Sequence, residues 1–187
     1  MVARIKRTQS LSRSLNYNEK KVQAGVAACI EAVNYPKDLD AMNFYDKLHR
    51  LENQAELNER VAANSVHISL NFHENDTLNK EKLSVIAKTY MQGIGFEKQP
   101  YLVYQHHNAG HPHIHIVSTN IERDGSKIEM NNIGRNQSEQ ARKAIELQFG
   151  LTKAEGRGQK QETELKVSVF ACAIFVQPHY LLFEYLV

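Results

Sequence analysis

Gln105-His106-His107-Asn108-Ala109-Gly110-His111-Pro112-His113-Ile114-His115-Ile116-Val117 is the stretch from which the rest of this sequence is best read. His113 and His115 lie two positions apart among apolar residues. On a strand both imidazoles therefore project from one face, while Ile114 and Ile116 turn into a core. A short connection containing Gly110 and Pro112 separates this strand from a second apolar run at 101–106, which predicts a hairpin. The hairpin brings His106 beside His113 or His115. Three imidazoles converging from adjacent strands make a site for a divalent cation, with positions left open for substrate. A His-x-His pair alone reads only as the polar face of a sheet; the third histidine is what moves the reading toward a metal. His107 has the opposite strand parity and His111 precedes Pro112 in the connection. Both are placed outside the ligand set, His111 as a supporting neighbour.

The segment 65–72 strengthens that reading. Val66, Ile68, Leu70 and Phe72 alternate with Ser65, His67, Ser69 and Asn71, the pattern of a half-buried strand with one polar face. His67 on that face is a further neighbour for the triad. Around these strands, 2–6 alternates as an edge strand, and Leu11 and Leu15 stand at helical spacing in the polar stretch 10–18. Val22, Val26, Cys29 and Ile30 predict a helix over 19–33. Phe44, Leu48, Leu51 and Ala55 predict another, to about 61, and Leu83, Ile86, Tyr90 and Met91 a third, stopped by Gly93 and Gly95. A strand is expected to run over 113–121, with a brief one at 127–130 after the Asp124-Gly125 turn. A last helix is expected at 138–149, with Ser138 as its N-cap and Gly150 as its stop. Helices mixed with at least one antiparallel pair make the class α+β, with a central antiparallel sheet carrying the histidines.

Composition sets outer limits. The chain has 187 residues, 42% hydrophobic and 24% charged, which excludes a disordered, collagen-like or disulfide-scaffold protein. Two cysteines give no disulfide framework, so a reducing cytoplasm is the expected compartment. The net charge of +2 conceals a basic N-terminal region, with Arg4, Lys6, Arg7, Arg13, Lys20 and Lys21 against Glu19 alone. No signal peptide is read at the N-terminus, and the apolar run 167–176 is too short to span a bilayer, so no membrane insertion is expected. The chain divides into a domain at 1–152, a polar linker at 153–166 and an apolar tail at 167–187. The tail breaks sharply from the rest in composition, suggests a truncated or frameshifted end, with a sheet-forming hairpin turned at Gln177-Pro178-His179 as the rival reading, and is expected to contribute nothing to catalysis.

The run from His106 to His115 resembles the metal motif of the relaxase/mobilisation nucleases, part of the superfamily of endonucleases known for a histidine–hydrophobe–histidine signature. The resemblance includes the polar-faced strand at 65–72 and the tyrosine segment Ser14-Leu15-Asn16-Tyr17-Asn18-Glu19-Lys20, and covers roughly residues 1–155. Rolling-circle initiators of the same superfamily carry the tyrosine after the histidines, so chain order argues against them. The resemblance implies metal-dependent nicking of one DNA strand at a transfer origin, starting plasmid or element mobilisation. Tyr17 would be the nucleophile, forming a 5′-phosphotyrosine link. His106, His113 and His115 would hold Mg²⁺ or Mn²⁺, and Arg4, Arg7, Arg13, Lys20 and Lys21 would follow the backbone of single-stranded DNA. Accessory mobilisation proteins are implied as partners. Tyr17 also stands out among eight tyrosines because its neighbours are polar and basic, whereas Tyr35, Tyr45 and Tyr90 read as core or helix-face residues.

One position departs from the pattern. The family commonly has an aspartate where this chain has Asn108. An amide still hydrogen-bonds, but it can neither orient a ligand histidine as a charge nor accept the tyrosine's proton. His111 or His67 is left for that proton, and the rival reading is a weak or inactive relaxase-like protein that binds single-stranded DNA.

Overall fold

The alternation at 65–72 is realised as a central strand with Val66, Ile68 and Leu70 completely buried on one side. The structure, a computed structural model, describes residues 1–154; most of the linker and the whole apolar tail lie outside the described residues. Five strands are described: β1 (Val2–Thr8), β2 (Ala27–Val33), β3 (Ser65–Asn71), β4 (Tyr101–His106) and β5 (His113–Thr119). They form one sheet in the order β1-β3-β5-β4-β2, and every neighbouring pair is antiparallel. Four helices flank it: α1 (Leu11–Gln23), α2 (Phe44–Ala55), α3 (Lys80–Gly93) and α4 (Gln137–Gln148). The class is α+β.

Strand parity divides the molecule into two cores. Ile68, Leu70, Val103, Ile114 and Ile116 point to one face, where they pack with Leu83, Ile86 and Tyr90 of α3 and Ala141 and Ile145 of α4. Each such side chain, fully buried, contributes roughly 1.5–3 kcal/mol. A Cβ built at Gly93 would lie 2.8 Å from the Ala141 Cβ, so only glycine lets α3 and α4 approach this closely. Leu102, Tyr104 and Val117 point to the other face and pack under Leu11, Leu15, Leu48, Leu51 and Ala55 of α1 and α2. That smaller core covers part of the sheet. The histidines occupy the rest of the same face.

Four sequence expectations are corrected, the first being the helix expected to about 61, which ends at Ala55 and gives way to a 3-10 turn at Glu56–Asn58. The helix expected over 19–33 is instead the end of α1 followed by β2. Gly25 adopts φ +70 just after α1, a conformation L-residues avoid, and turns the chain into the strand. Val22, Val26, Cys29 and Ile30 match helical spacing by coincidence, because a bulge at Ile30 shifts the register of β2 against β4. The strand expected at 127–130 is only a single bridge, Ile121 to Lys127. The helix expected from Ser138 begins one residue earlier, after Asn136, and the Ser138 hydroxyl bonds the Tyr90 hydroxyl at 2.6 Å rather than capping.

Candidate active site

Antiparallel register places the triad. His106, the last residue of β4, is paired directly with His113, the first of β5, and His115 lies opposite Tyr104 on one side and Ser69 on the other. The ring centroids of His106 and His115 are 4.2 Å apart, and those of His106 and His113 are 5.2 Å apart. One ring nitrogen from each of the three lies within 4.8 Å of the others. All three side chains are buried, at 3, 8 and 9% exposure for His106, His113 and His115.

Hydrogen bonds choose the free nitrogens. His113 Nδ1–H donates to the His111 carbonyl at 3.3 Å, a long bond that leaves Nε2 with its lone pair. His106 Nε2 bonds the Asn18 side-chain oxygen at 2.9 Å. His115 Nδ1 is buried with no hydrogen-bond partner among the described residues. Neutral imidazoles with free lone pairs, one buried nitrogen unsatisfied, and no carboxylate among them fit a divalent cation bound through nitrogen.

Electrostatics keeps these rings neutral. Burial, then the neighbouring His113, Lys21 and His67, push His106 down to about 4. Burial, then His106, His67 and His113, push His115 down to about 3. His67 is lowered by burial and by Lys6. An unfolded histidine takes up its proton near pH 6.5, so below that pH the unfolded chain binds protons that the fold refuses. Stability is therefore full above about pH 6.5 and falls as the pH drops toward 4. The expected loss for metal-free protein is on the order of 3 kcal/mol at pH 4 from one such histidine. Urea denaturation in chelator at pH 7, 6, 5 and 4 measures it. His115→Gln should flatten the decline, and an unchanged decline would remove His115 as one of its causes.

Tyr17 lies over this cluster. Its ring stacks on His115 (centroids 5.9 Å apart, 16° between planes) and on His106 (6.2 Å, 21°), and meets His67 edge-on at 6.3 Å. It is 49% exposed although it borders buried rings. The Ser10 hydroxyl oxygen, accepting from the Arg13 N–H, starts α1. Leu11, Leu15 and Asn18 form its buried stripe, which leaves Tyr17 beside the seam. Glu19 fastens the helix by accepting from the Tyr104 hydroxyl at 2.6 Å and from Lys47 at 2.8 Å.

The remaining candidates are placed unevenly. His67 packs edge-on to His115 at 4.8 Å, with Nε2 buried and without a hydrogen-bond partner among the described residues. His111 is exposed on the connection and donates from Nε2 to the Asn71 side-chain oxygen at 3.2 Å. Asn108 is exposed on the same connection, as is His107, whose backbone N–H donates to the Val26 carbonyl. Arg4 pairs with Ser69 and shares the histidine face. Arg7 has the opposite parity and lines a cavity of about 410 Å³ with Ile5, Met130 and Arg135. Arg13 and Lys20 are exposed on α1, and Lys21 is near enough to lower His106.

Two residues escaped the sequence reading. Lys6 pairs with His67 and belongs with Arg4 on the histidine face, as strand parity alone would have shown. Asn18 is fully buried against His106. Its signal was a polar residue in the next place of the Leu11–Leu15 apolar stripe.

No curated protein shows a significant match to the chain. A family model, the MobA/VirD2-like nuclease domain of relaxases, matches residues 17–151, well over half of the chain and beginning at Tyr17 itself. With the histidine triad held on an antiparallel sheet below that tyrosine, the chain belongs to the relaxase family with a MobA/VirD2-like nuclease domain.

Proposed function

We propose that the protein nicks one strand of DNA at a transfer origin through a 5′-phosphotyrosine intermediate, initiating mobilisation of a plasmid or related element. The observation that supports this best is the half-exposed Tyr17 stacked on His106 and His115. The Tyr17 oxygen attacks the scissile phosphorus and gives up its proton; a bond forms from that oxygen to phosphorus. The bond from phosphorus to the 3′ oxygen breaks, and that oxygen takes up a proton to leave a free 3′-hydroxyl. Phosphotyrosine keeps an ester in place of the one broken, so the strand can be resealed.

His106, His113 and His115 would hold a divalent cation, Mg²⁺ or Mn²⁺, which when bound supplies positive charge against the phosphate. Histidine ligands leave that charge uncancelled. Of the two proton acceptors that Asn108 leaves open, His67 is the one whose ring packs against Tyr17. Arg4, Lys6 and Lys21 border the histidine face and bind phosphates there, with Arg13 and Lys20 extending the basic surface along α1. Arg7, on the opposite face, is left out of this path.

A second reading is favoured by Asn108 itself: a protein that keeps the fold and binds single-stranded DNA but nicks weakly. Incubation with Mn²⁺ and labelled single-stranded origin DNA separates the two. The proposal requires a covalent protein–DNA adduct that survives denaturation. Binding without any adduct supports the second reading.

A further inference from the structure

A buried amide is costly unless both its ends are satisfied. Asn18 has no exposed surface and follows Leu11 and Leu15 on the buried stripe of α1. Its Nδ2 donates to the Ser14 carbonyl at 2.9 Å. A carbonyl only accepts, so this bond fixes which way the amide points and turns the oxygen toward His106. That oxygen lies 2.9 Å from His106 Nε2. It also only accepts, so the proton between them must belong to the imidazole.

We infer that Asn18 is a positioning residue for the metal site: its side-chain oxygen holds His106 as the Nε2–H tautomer and leaves Nδ1 as the nitrogen free to ligate. The part concerning ligation rests on the metal reading above; the tautomer does not. Orienting a ligand histidine is the task expected of an aspartate in the place of Asn108; here a buried amide on α1 takes it, while Asn108 lies exposed on the connection. Its chain neighbour Tyr17 stacks on the same imidazole, so one turn of helix sets both the nucleophile and the ring beneath it. Movement of α1 relative to β4 therefore disturbs the two together.

The test begins with metal-free protein carrying ¹⁵N-labelled histidine. Long-range ¹H–¹⁵N correlation spectra of the wild type should show His106 as the Nε2–H tautomer. Asn18→Leu, similar in size but without the acceptor, should give mixed tautomers. It should also lower Mn²⁺ affinity by about 10–100-fold in calorimetric titration, the usual effect of losing a ligand's hydrogen-bond partner. Asn18→Asp loses the bond to the Ser14 carbonyl but keeps an acceptor for His106, so Nε2 should stay protonated there; this readout does not depend on Asn18→Leu folding. An Nδ1–H His106 in the wild type overturns the inference. So does a folded Asn18→Leu protein with unchanged tautomer and Mn²⁺ affinity. If His106→Ala binds Mn²⁺ as tightly as the wild type, the metal reading falls and the ligand role falls with it. Failure of Asn18 alone looks different, because His106→Ala then still loses Mn²⁺.

Discussion

Tyr17→Phe is expected to abolish the covalent protein–DNA adduct, by at least roughly three orders of magnitude, while leaving binding to single-stranded DNA nearly unchanged. Only the hydroxyl is removed. The ring keeps its stacking on His106 and His115, and the half-exposed position means that no buried hydrogen bond is lost. Melting temperature should therefore stay within experimental error of the wild type, and the surrounding Arg4, Lys6 and Lys21 should still hold phosphates. A labelled oligonucleotide run on a denaturing gel with Mn²⁺ present reads the adduct; anisotropy with the same oligonucleotide reads binding. Adduct at the wild-type rate would take Tyr17 out of the mechanism and direct attention to the other tyrosines. Tyr104 is a poor substitute, since burial and the adjoining Cys29 and Glu19 push its hydroxyl well above the ordinary range and the group is enclosed under α1.

The parts of the fold that were legible are those in which environment follows strand parity. In β3, β4 and β5 each side chain's face is set by its place in an alternation, and the register of a hairpin follows from its short connection. The triad could be assembled from those rules. The segment now seen as β2 was illegible for a related reason. Ala27-Ala28-Cys29-Ile30-Glu31-Ala32-Val33 is apolar but for Glu31, carries a bulge, and shows neither period clearly. Gly25 was the decisive residue, since its positive φ ends α1 where the apolar spacing suggested continuation. Ser138 illustrates a different limit. A serine ahead of an apolar run signals a cap, but a tertiary hydrogen bond to Tyr90 claims the hydroxyl. The orientation of α1 over the sheet could not be read at all, because it depends on contacts between residues far apart in sequence. Those include Asn18 with His106 and Glu19 with Tyr104 and Lys47.

Alanine at His106, His113 or His115 is expected to lower Mn²⁺ affinity more than any other single change, each by at least about 100-fold, and His107→Ala to change it little. The distinction is geometric. The three project from one sheet face with one ring nitrogen from each within 4.8 Å of the others, whereas the His107 side chain is exposed and its backbone N–H bonds the Val26 carbonyl. His115 should show the largest loss, because its ring is central, in contact with His106, His113 and His67 at once. Stability gives an independent readout. A ligand that binds only the folded state adds about 2.7 kcal/mol at a concentration 100 times its dissociation constant. Wild-type protein should therefore melt higher with Mn²⁺ than with chelator, and the three variants should lose most of that rise. In chelator the order should change. Replacing His115 removes a buried nitrogen that has no partner among the described residues, so His115→Ala should lose less to its cavity than an ordinary core truncation. Calorimetric titration and melting with and without Mn²⁺ decide the matter. Equal losses of affinity for His107→Ala and His113→Ala would show that strand parity does not select the ligands.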